Sequence, residues 1–327
     1  MPHRPFAAAL LAALLTLPGC FLLPSNAGQS PHAAGVDLYL RGQLEAERGE
    51  LDKAVATLSH AIDKNPSMAL AIEARADLYK KKGDYEKAAL DYRSAVTLEP
   101  RSFDANYGLA LMYQYLKRFS DAVASYQKAV EIRPLDRDAN MNLAMVYTQL
   151  GQPLQGLPYA QRALEGGADA IAQANLGTLY FTAGYNDLAI SALKKSVELN
   201  SRNPDVYANL AQLYLQAGKF DLARNTLETA RELAPSPAVS ERLGLAYYKL
   251  KDYVRAHGAF ADSLRQDPQY LPALNGLGVV CMTESLAGSP PDIDAAREAL
   301  GYWDRSLKLN PDQPAIRQLV NKYTGTQ

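Results

Sequence analysis

Residues 69–102 decide the fold, and they read ALAIEARADLYKKKGDYEKAALDYRSAVTLEPRS. Four landmarks of this stretch return 34 residues later: Ala88, Tyr92, Ala95 and Pro100 become Ala122, Tyr126, Ala129 and Pro134. Apolar residues recur every three or four positions in 69–82 and again in 85–98, which predicts two amphipathic helices. A unit of this length cannot bury its apolar face alone, so it must stack on copies of itself. The stretch therefore predicts an all-α solenoid of helix pairs.

The same landmarks divide residues 35–311 into eight repeats, with starts near Gly35, Ala69, Phe103, Arg137, Ala170, Pro204, Pro237 and Leu271. Small residues mark the predicted crossing of the two helices, called A and B, in every repeat: Gly42, Ala76, Ala110, Ala144, Gly177, Ala211, Gly244 and Gly278. A bulky side chain there would push the helices apart. Prolines follow most B helices and are expected to end them.

These landmarks resemble the tetratricopeptide repeat (TPR) family. The residues that carry the resemblance in the best copy are Ala76, Tyr79, Gly83, Tyr85, Ala88, Tyr92, Ala95 and Pro100. The resemblance implies a right-handed superhelical solenoid whose concave groove is lined by the A helices, at inner positions that are the second, fifth, sixth, ninth, twelfth and thirteenth of each repeat. It also implies a protein that binds a partner and does not catalyse a reaction.

Two repeats depart from the pattern, and a tail follows the last one. Residues 151–169 contain two prolines and four glycines where helix B of the fourth repeat should run, which predicts a short or kinked helix. Residues 283–292 form an insertion rich in Gly, Ser and Pro, which predicts a surface loop. Residues 312–327 predict a helix that caps the open end of the stack, followed by a short tail.

The N-terminus is typical of an exported protein. A positive charge at Arg4 is followed by an apolar run from Phe6 to Leu17, which predicts a signal peptide over residues 1–19. The run ends in Leu17, Pro18, Gly19 and Cys20, which resembles the bacterial lipobox apart from the proline. The resemblance implies lipid attachment at Cys20, a flexible tether over 20–34, and anchorage to the outer membrane facing the periplasm.

Three other interpretations of this segment stay open. Phe6 to Leu23 is about long enough to span a bilayer as an uncleaved anchor. Cleavage at another bond would release a soluble protein, and a segment that is not recognised at all would leave the chain in the cytosol.

Composition argues against several function classes. The 34 Lys and Arg residues nearly balance the 35 Asp and Glu residues, and they form no basic stripe, so we expect no nucleic-acid partner. None of the four histidines has metal-ligand spacing, and no Ser or Cys lies in a nucleophile motif. We therefore expect no enzyme activity, no metal and no cofactor. Cys281 replaces the tyrosine of other repeats and is expected to be a buried thiol.

The sixth position of helix A holds an asparagine in three consecutive repeats: Asn142, Asn175 and Asn209. An amide both donates and accepts hydrogen bonds, so a ladder of amides could pair with the backbone of an extended peptide. The alternative is that Asn is merely tolerated at this position. A second set of inner positions in the third and fourth repeats is apolar: Tyr107, Leu111, Tyr115, Met141 and Met145. Exposed apolar groups mark partner sites, unless neighbouring repeats cover them.

The sequence as a whole predicts a lipid-anchored envelope scaffold that holds a segment of a partner protein in its groove. By resemblance, such lipoproteins assist the assembly of pilus secretins. An adaptor for peptidoglycan hydrolases or proteases, and a component of polysaccharide export, are the alternatives.

Overall fold

The computed structural model describes residues 31–167 and 169–325. Within these ranges the chain forms seventeen helices and no strand. It divides into two units, Met1–Lys82 and Gly83–Gln327, and the division falls between the two helices of the second repeat. The sequence predicts a single array over residues 35–311, and its repeat pattern does not change at this division.

The first unit contains α1 (Pro31–Glu47), α2 (Leu51–Lys64) and α3 (Ala69–Lys82). Its core is formed by Ala54, Leu58 and Leu78. Glu45 is buried beside this core, where its carboxylate accepts a 2.6 Å hydrogen bond from the Thr57 hydroxyl.

The second unit contains the remaining helices. They are α4 (Tyr85–Leu98), α5 (Phe103–Tyr115), α6 (Phe119–Ile132), α7 (Arg137–Gln149), α8 (Pro153–Arg162), α9 (Ala170–Thr182), α10 (Asn186–Leu199), α11 (Pro204–Gln216), α12 (Phe220–Leu233), α13 (Pro237–Lys249), α14 (Tyr253–Gln266), α15 (Leu271–Ala287), α16 (Ile293–Leu309) and α17 (Pro314–Thr324). Each helix packs on the next one in the chain, so α5 to α16 are six A–B pairs in series. This arrangement confirms the predicted all-α solenoid of helix pairs.

Local sequence explains where the A helices begin. The first residues of α3, α5, α7, α9, α11, α13 and α15 coincide with the predicted repeat starts. A side-chain oxygen of the preceding residue accepts a hydrogen bond from a backbone N–H of the first turn in five of them: Ser102, Asp136, Asp169, Asn203 and Ser236. These caps satisfy N–H groups that have no partner within the helix.

The turn between helices A and B needs a residue with left-handed backbone geometry. Gly184 and Gly218 take this place in the fifth and sixth repeats, with φ of 83° and 71°. Lys117 and Lys251 take it in the third and seventh repeats, with φ of 58° and 61°. A lysine tolerates this geometry only at a cost in free energy, so neighbouring contacts must hold the turn in place.

The predicted crossing of A and B helices is as close as the small residues allow. A Cβ atom added to Gly177 would lie 2.7 Å from Leu193 Cγ, and one added to Gly244 would lie 2.8 Å from the Phe260 ring. Gly278 meets the indole of Trp303 in the same way. The large side chain of helix B therefore lies directly against the backbone of helix A, which is why both are buried.

Two elements differ from their predicted bounds, and a third agrees with the prediction. The tether predicted over 20–34 overlaps α1, which begins at Pro31; residues 20–30 lie outside the described residues. The fourth B helix, α8, is short as predicted, with 10 residues against 14 in its neighbours α6 and α10. The predicted loop 283–292 is wrong in its first half, because the helix formers before Gly288 extend α15 to Ala287.

The C-terminal helix confirms the predicted cap. Its Ile316 is buried in a cluster with Trp303 of α16, and Leu319 and Val320 pack against that cluster. Within the described ranges, no helix combines the length and the apolar character that crossing a membrane requires. The predicted signal peptide and Cys20 lie outside those ranges.

Two glycines test the importance of the A–B crossing. We expect Gly244→Ala to lower the free energy of unfolding by about 1–3 kcal/mol, because the new methyl group overlaps the Phe260 ring. Gly258 lies in α14 with nothing within 4 Å of an added Cβ, so Gly258→Ala is the matched control and should stabilise by about 0.5–1 kcal/mol. Urea unfolding followed by circular dichroism measures both. Equal effects of the two substitutions would contradict the close-packed crossing.

Candidate partner-binding face

The A helices of the second unit form a continuous layer. Contacts link α7 to α9, α9 to α11, α11 to α13, and α13 to α15, while the B helices pack against the layer in alternation with them. Side chains at the predicted inner positions of α5, α7, α9 and α11 form what we call the A face: Tyr107, Leu111, Tyr115, Met141, Asn142, Met145, Thr148, Asn175, Thr178 and Asn209. The structure places these residues in three different environments.

Asn142 and Tyr107 are brought together. The Asn142 side-chain amide donates a 2.8 Å hydrogen bond to the Tyr107 hydroxyl. The Tyr107 ring packs edge-on against Tyr126 and is stacked on Phe103, each with ring centroids 5.7 Å apart. Burial, followed by the nearby Asp138 and Asp136 charges, raises the pKa of Tyr107 to about 12. Asn142 is therefore a half-buried amide that fixes α7 against α5 in the structure.

The other two members of the predicted asparagine ladder are more accessible. Asn175 of α9 is half-buried and lines a cavity, whereas Asn209 of α11 is exposed. The three amides thus share a register but not an environment. Peptide binding by Asn175 and Asn209 stays a prediction. The amide nitrogen of Asn142 already donates to Tyr107, so in this structure Asn142 holds two helices together.

The apolar part of the A face is exposed at two points. Tyr115 has 53% of its surface accessible and stacks on Tyr85 with ring centroids 4.6 Å apart. Met145 is 38% accessible, and its sulfur lies 3.7 Å from the side-chain nitrogen of Gln114 on α5. Leu111 and Met141 are half-buried. The predicted apolar surface is therefore only partly covered by neighbouring repeats.

A cavity of about 110 Å³ opens on this face between α7 and α9. Its walls are mostly apolar, and its lining is formed by Met141, Ala144, Met145, Thr148, Ala160, Ala172, Asn175, Thr178 and Leu179. Five of these residues are at inner positions of the A helices, so the cavity opens where the sequence predicts a partner. It unites Met141, Met145 and Asn175, three of the eight predicted groove residues.

Ala160 of α8 explains why the cavity exists in this repeat. It occupies the position at which helix B of every other repeat carries a large, buried side chain: Leu58, Tyr92, Tyr126, Leu193, Leu227, Phe260 and Trp303. The missing side chain leaves the space between α7 and α9 unfilled. Sequence reasoning missed Ala160, although a small residue at a position that is otherwise large was visible in the repeat alignment.

Glu241 is a second residue of the A helices that sequence reasoning missed. It lies half-buried at the fifth position of α13, and burial raises the pKa of its carboxyl, an effect that the adjacent Arg242 opposes. Burial raises the pKa of Tyr270, the residue just before α15, and the charge of Glu241 adds to this rise. An ionised carboxylate in this place costs stability because it is poorly hydrated.

We expect Glu241→Gln to stabilise the protein at pH 7. The raised pKa means that the folded chain holds the carboxyl proton more tightly than the unfolded chain, so stability falls as pH rises above the ordinary value near 4.5. The amide avoids this loss, and its advantage should vanish below that pH. Urea midpoints at pH 7 and pH 4 measure the effect. Glu232→Gln on the exposed surface of α12 is the control and should change stability by less than about 0.5 kcal/mol at either pH.

Comparison with known protein families supports the repeat assignment. Two sequence models of the tetratricopeptide repeat match the chain, one at residues 180–243 and the other at 73–137, 113–168 and 141–204. Together they extend from residue 73 to residue 243, more than half of the 327 residues. The chain belongs to the tetratricopeptide repeat family. TPR proteins are generally non-catalytic scaffolds for protein–protein interaction.

Solved structures of TPR proteins are similar to this one. YrrB, described as a TPR protein with an unusual peptide-binding site, is 25% identical with a TM-score of 0.51, over 59% of this chain and 97% of its own. PilW, described as a widely conserved type IV pilus biogenesis factor, is 22% identical with a TM-score of 0.54, over 62% of this chain and 94% of its own.

The chain from the APC/C hetero-tetramer Cut9-Hcn1 is 18% identical with a TM-score of 0.56, over 88% of this chain. This chain spans only 55% of that relative's length, so the likeness is one of fold. No curated protein sequence matches the chain significantly.

Proposed function

We propose that the A face binds an extended segment of a partner protein, and that the cavity beside Ala160 receives one apolar side chain of that segment. The cavity is the observation that carries the proposal. Its volume of about 110 Å³ is comparable to engineered cavities of about 150 Å³ that bind benzene. It therefore suits a single aliphatic side chain. Met141 and Met145 in its wall are flexible enough to close around different shapes.

Asn175 supplies the polar half of this recognition. Its amide lies in the cavity wall, where it can donate to and accept from the backbone of the residue that enters. Asn209 on the adjacent A helix is exposed and can continue the same pattern. Backbone pairing is independent of sequence, so the cavity sets the register and the amides hold the strand. The peptide-binding site attributed to YrrB, a protein of the same family, supports this mode.

In the cell, we place this scaffold on the outer membrane, held by lipid on Cys20 and facing the periplasm. The support is the lipobox-like sequence that ends at Cys20, together with the repeat array that follows it. A lipid-anchored array suits a protein that assists assembly of an envelope complex. We propose that this complex is a pilus or a secretion system. PilW is described as a pilus biogenesis factor, but the likeness to it extends to the fold alone.

Filling the cavity tests the proposed binding mode. Leu193 and Leu227 fill the equivalent space in the fifth and sixth repeats, so Ala160→Leu should fold normally. We expect it to weaken binding of peptides selected from a displayed library by about 1.5–3 kcal/mol, the free energy of burying one large apolar side chain. The selected peptides should share an aliphatic residue. Fluorescence polarisation with the purified protein measures the loss.

The control variant adds the same bulk elsewhere. Ala124 is exposed on α6, so Ala124→Leu should leave peptide affinity unchanged. Paired Asn175→Ala and Asn209→Ala changes should weaken all selected peptides alike, whatever their sequence. Asn142→Ala is unsuitable for this purpose, because it removes the hydrogen bond to Tyr107. Undiminished binding by Ala160→Leu would show that the cavity is not the anchor.

The anchoring proposal has a separate test. We expect the wild-type full chain, expressed in cells, to incorporate a fatty-acid probe and to lose residues 1–19, so that Cys20 is its first residue by mass spectrometry, and Cys20→Ser to incorporate no probe. A wild-type chain that incorporates no probe and keeps its N-terminus would instead indicate an uncleaved apolar anchor. Deletion of the gene then distinguishes the pathways: lost piliation or lost secretin multimers supports envelope-complex assembly, whereas altered cell shape supports a hydrolase adaptor.

A further inference from the structure

Three potential metal ligands meet near the C-terminal end of the second unit. They are His257 of α14, Cys281 of α15 and Glu298 of α16, and one donor atom from each lies within 4.8 Å of the other two. The three helices pack on one another in series, so the ligands converge across two repeats. Their wide separation in sequence explains why ligand spacing predicts no metal here.

The cluster exists because the eighth repeat departs from the others at one core position. Cys281 occupies the place of the tyrosines of the preceding repeats in this unit: Tyr113, Tyr147, Tyr180, Tyr214 and Tyr247. The hydroxyls of Tyr147, Tyr180 and Tyr247 hydrogen-bond to side chains on the preceding B helix. The much smaller cysteine cannot make that contact, and in this repeat the residue on the preceding B helix that approaches it is a histidine.

The surroundings of the three ligands favour a metal over simple packing. The Tyr302 hydroxyl donates a 3.0 Å hydrogen bond to the Glu298 carboxylate, the kind of outer contact that orients a ligand. Cys281 is only 2% accessible, whereas His257 is half-buried and Glu298 is exposed. An ion can therefore approach from the side of Glu298 and reach the thiol.

We propose that His257, Cys281 and Glu298 bind Zn²⁺, with water as the fourth ligand. Imidazole nitrogen, thiolate and carboxylate are the ligands that zinc takes in proteins, whereas Ca²⁺ and Mg²⁺ prefer oxygen alone. One thiolate and one carboxylate balance the two charges of the ion. Tetrahedral zinc with bonds of about 2.0–2.3 Å brings its ligands to about 3.5 Å from one another, so the side chains close by about 1 Å on binding.

The binding step exchanges a proton for the metal. Burial, with smaller contributions from the charges of Glu298 and Glu284, raises the pKa of the Cys281 thiol to about 12, so the metal-free residue is a thiol. As the sulfur–zinc bond forms, the thiol proton leaves to solvent, while neutral His257 and ionised Glu298 donate lone pairs. No electron is transferred. Zinc bound in this way would tie α14, α15 and α16 together.

Cobalt binding to the full chain, purified without a histidine tag and stripped with a chelator, tests the site. We expect one equivalent of Co²⁺ to produce a thiolate-to-cobalt charge-transfer absorption and tetrahedral d–d bands, and Zn²⁺ to displace the cobalt. Cys281→Ser should abolish the charge-transfer band, and His257→Asn should weaken binding at least 100-fold. Tyr302→Phe should weaken it about 10-fold, because it removes only the orienting hydrogen bond.

Matched controls separate this site from adventitious binding. Cys20→Ser removes the other cysteine, and His60→Asn removes an exposed histidine of α2, so both should retain full affinity. Absence of a charge-transfer band in the wild type, or equal zinc affinity in the wild type and Cys281→Ser, would show that the cluster is packing alone. If Cys281→Ser does not fold, the comparison of His257→Asn with His60→Asn decides the question in the same way.

Discussion

Close contact between a small residue on helix A and a large one on helix B is the constraint on which this structure depends. The pairs Gly177–Leu193, Gly244–Phe260 and Gly278–Trp303 leave no room for even one added methyl group. Each contact buries a large apolar side chain of helix B against the backbone of helix A, which adds many dispersion contacts for the area buried. The crossing also sets how far each helix pair lies from the next, so the A helices align into one layer.

The two candidate sites arise where a repeat breaks this pattern. In the fourth repeat, Ala160 replaces the large residue of helix B, and a cavity results. In the eighth repeat, Cys281 replaces the tyrosine of helix A, and a cluster of metal ligands results. Neither departure disrupts the array, because each repeat is supported mainly by its neighbours. In each case, the departure at one core position makes the room that the candidate site occupies.

The sequence predicts the fold in detail because the same helix-start residues and small residues recur in repeat after repeat. The starts of α3, α5 and α7 follow from landmarks 34 residues apart, and the C-terminal cap follows from helical spacing of Ile316, Leu319 and Val320. The sites are harder to predict because they depend on contacts between repeats. The hydrogen bond from Asn142 to Tyr107 joins side chains on α7 and α5, and no local pattern distinguishes Asn142 from Asn175. Likewise, α15 extends beyond its expected end because Thr283 to Ala287 contain neither Gly nor Pro to stop it.

The short α8 has a mechanical meaning beyond the cavity beside it. An array held together by neighbour contacts opens most easily where a link buries least, and α8, with its internal Pro158 and only Gly156 and Ala160 buried, is such a link. In the proposed complex, the partner strand crosses α7 and α9 and so bridges this joint from the opposite side. Binding at the A face and opening of the joint are then thermodynamically linked: a ligand that spans both helices raises the free energy needed to separate them.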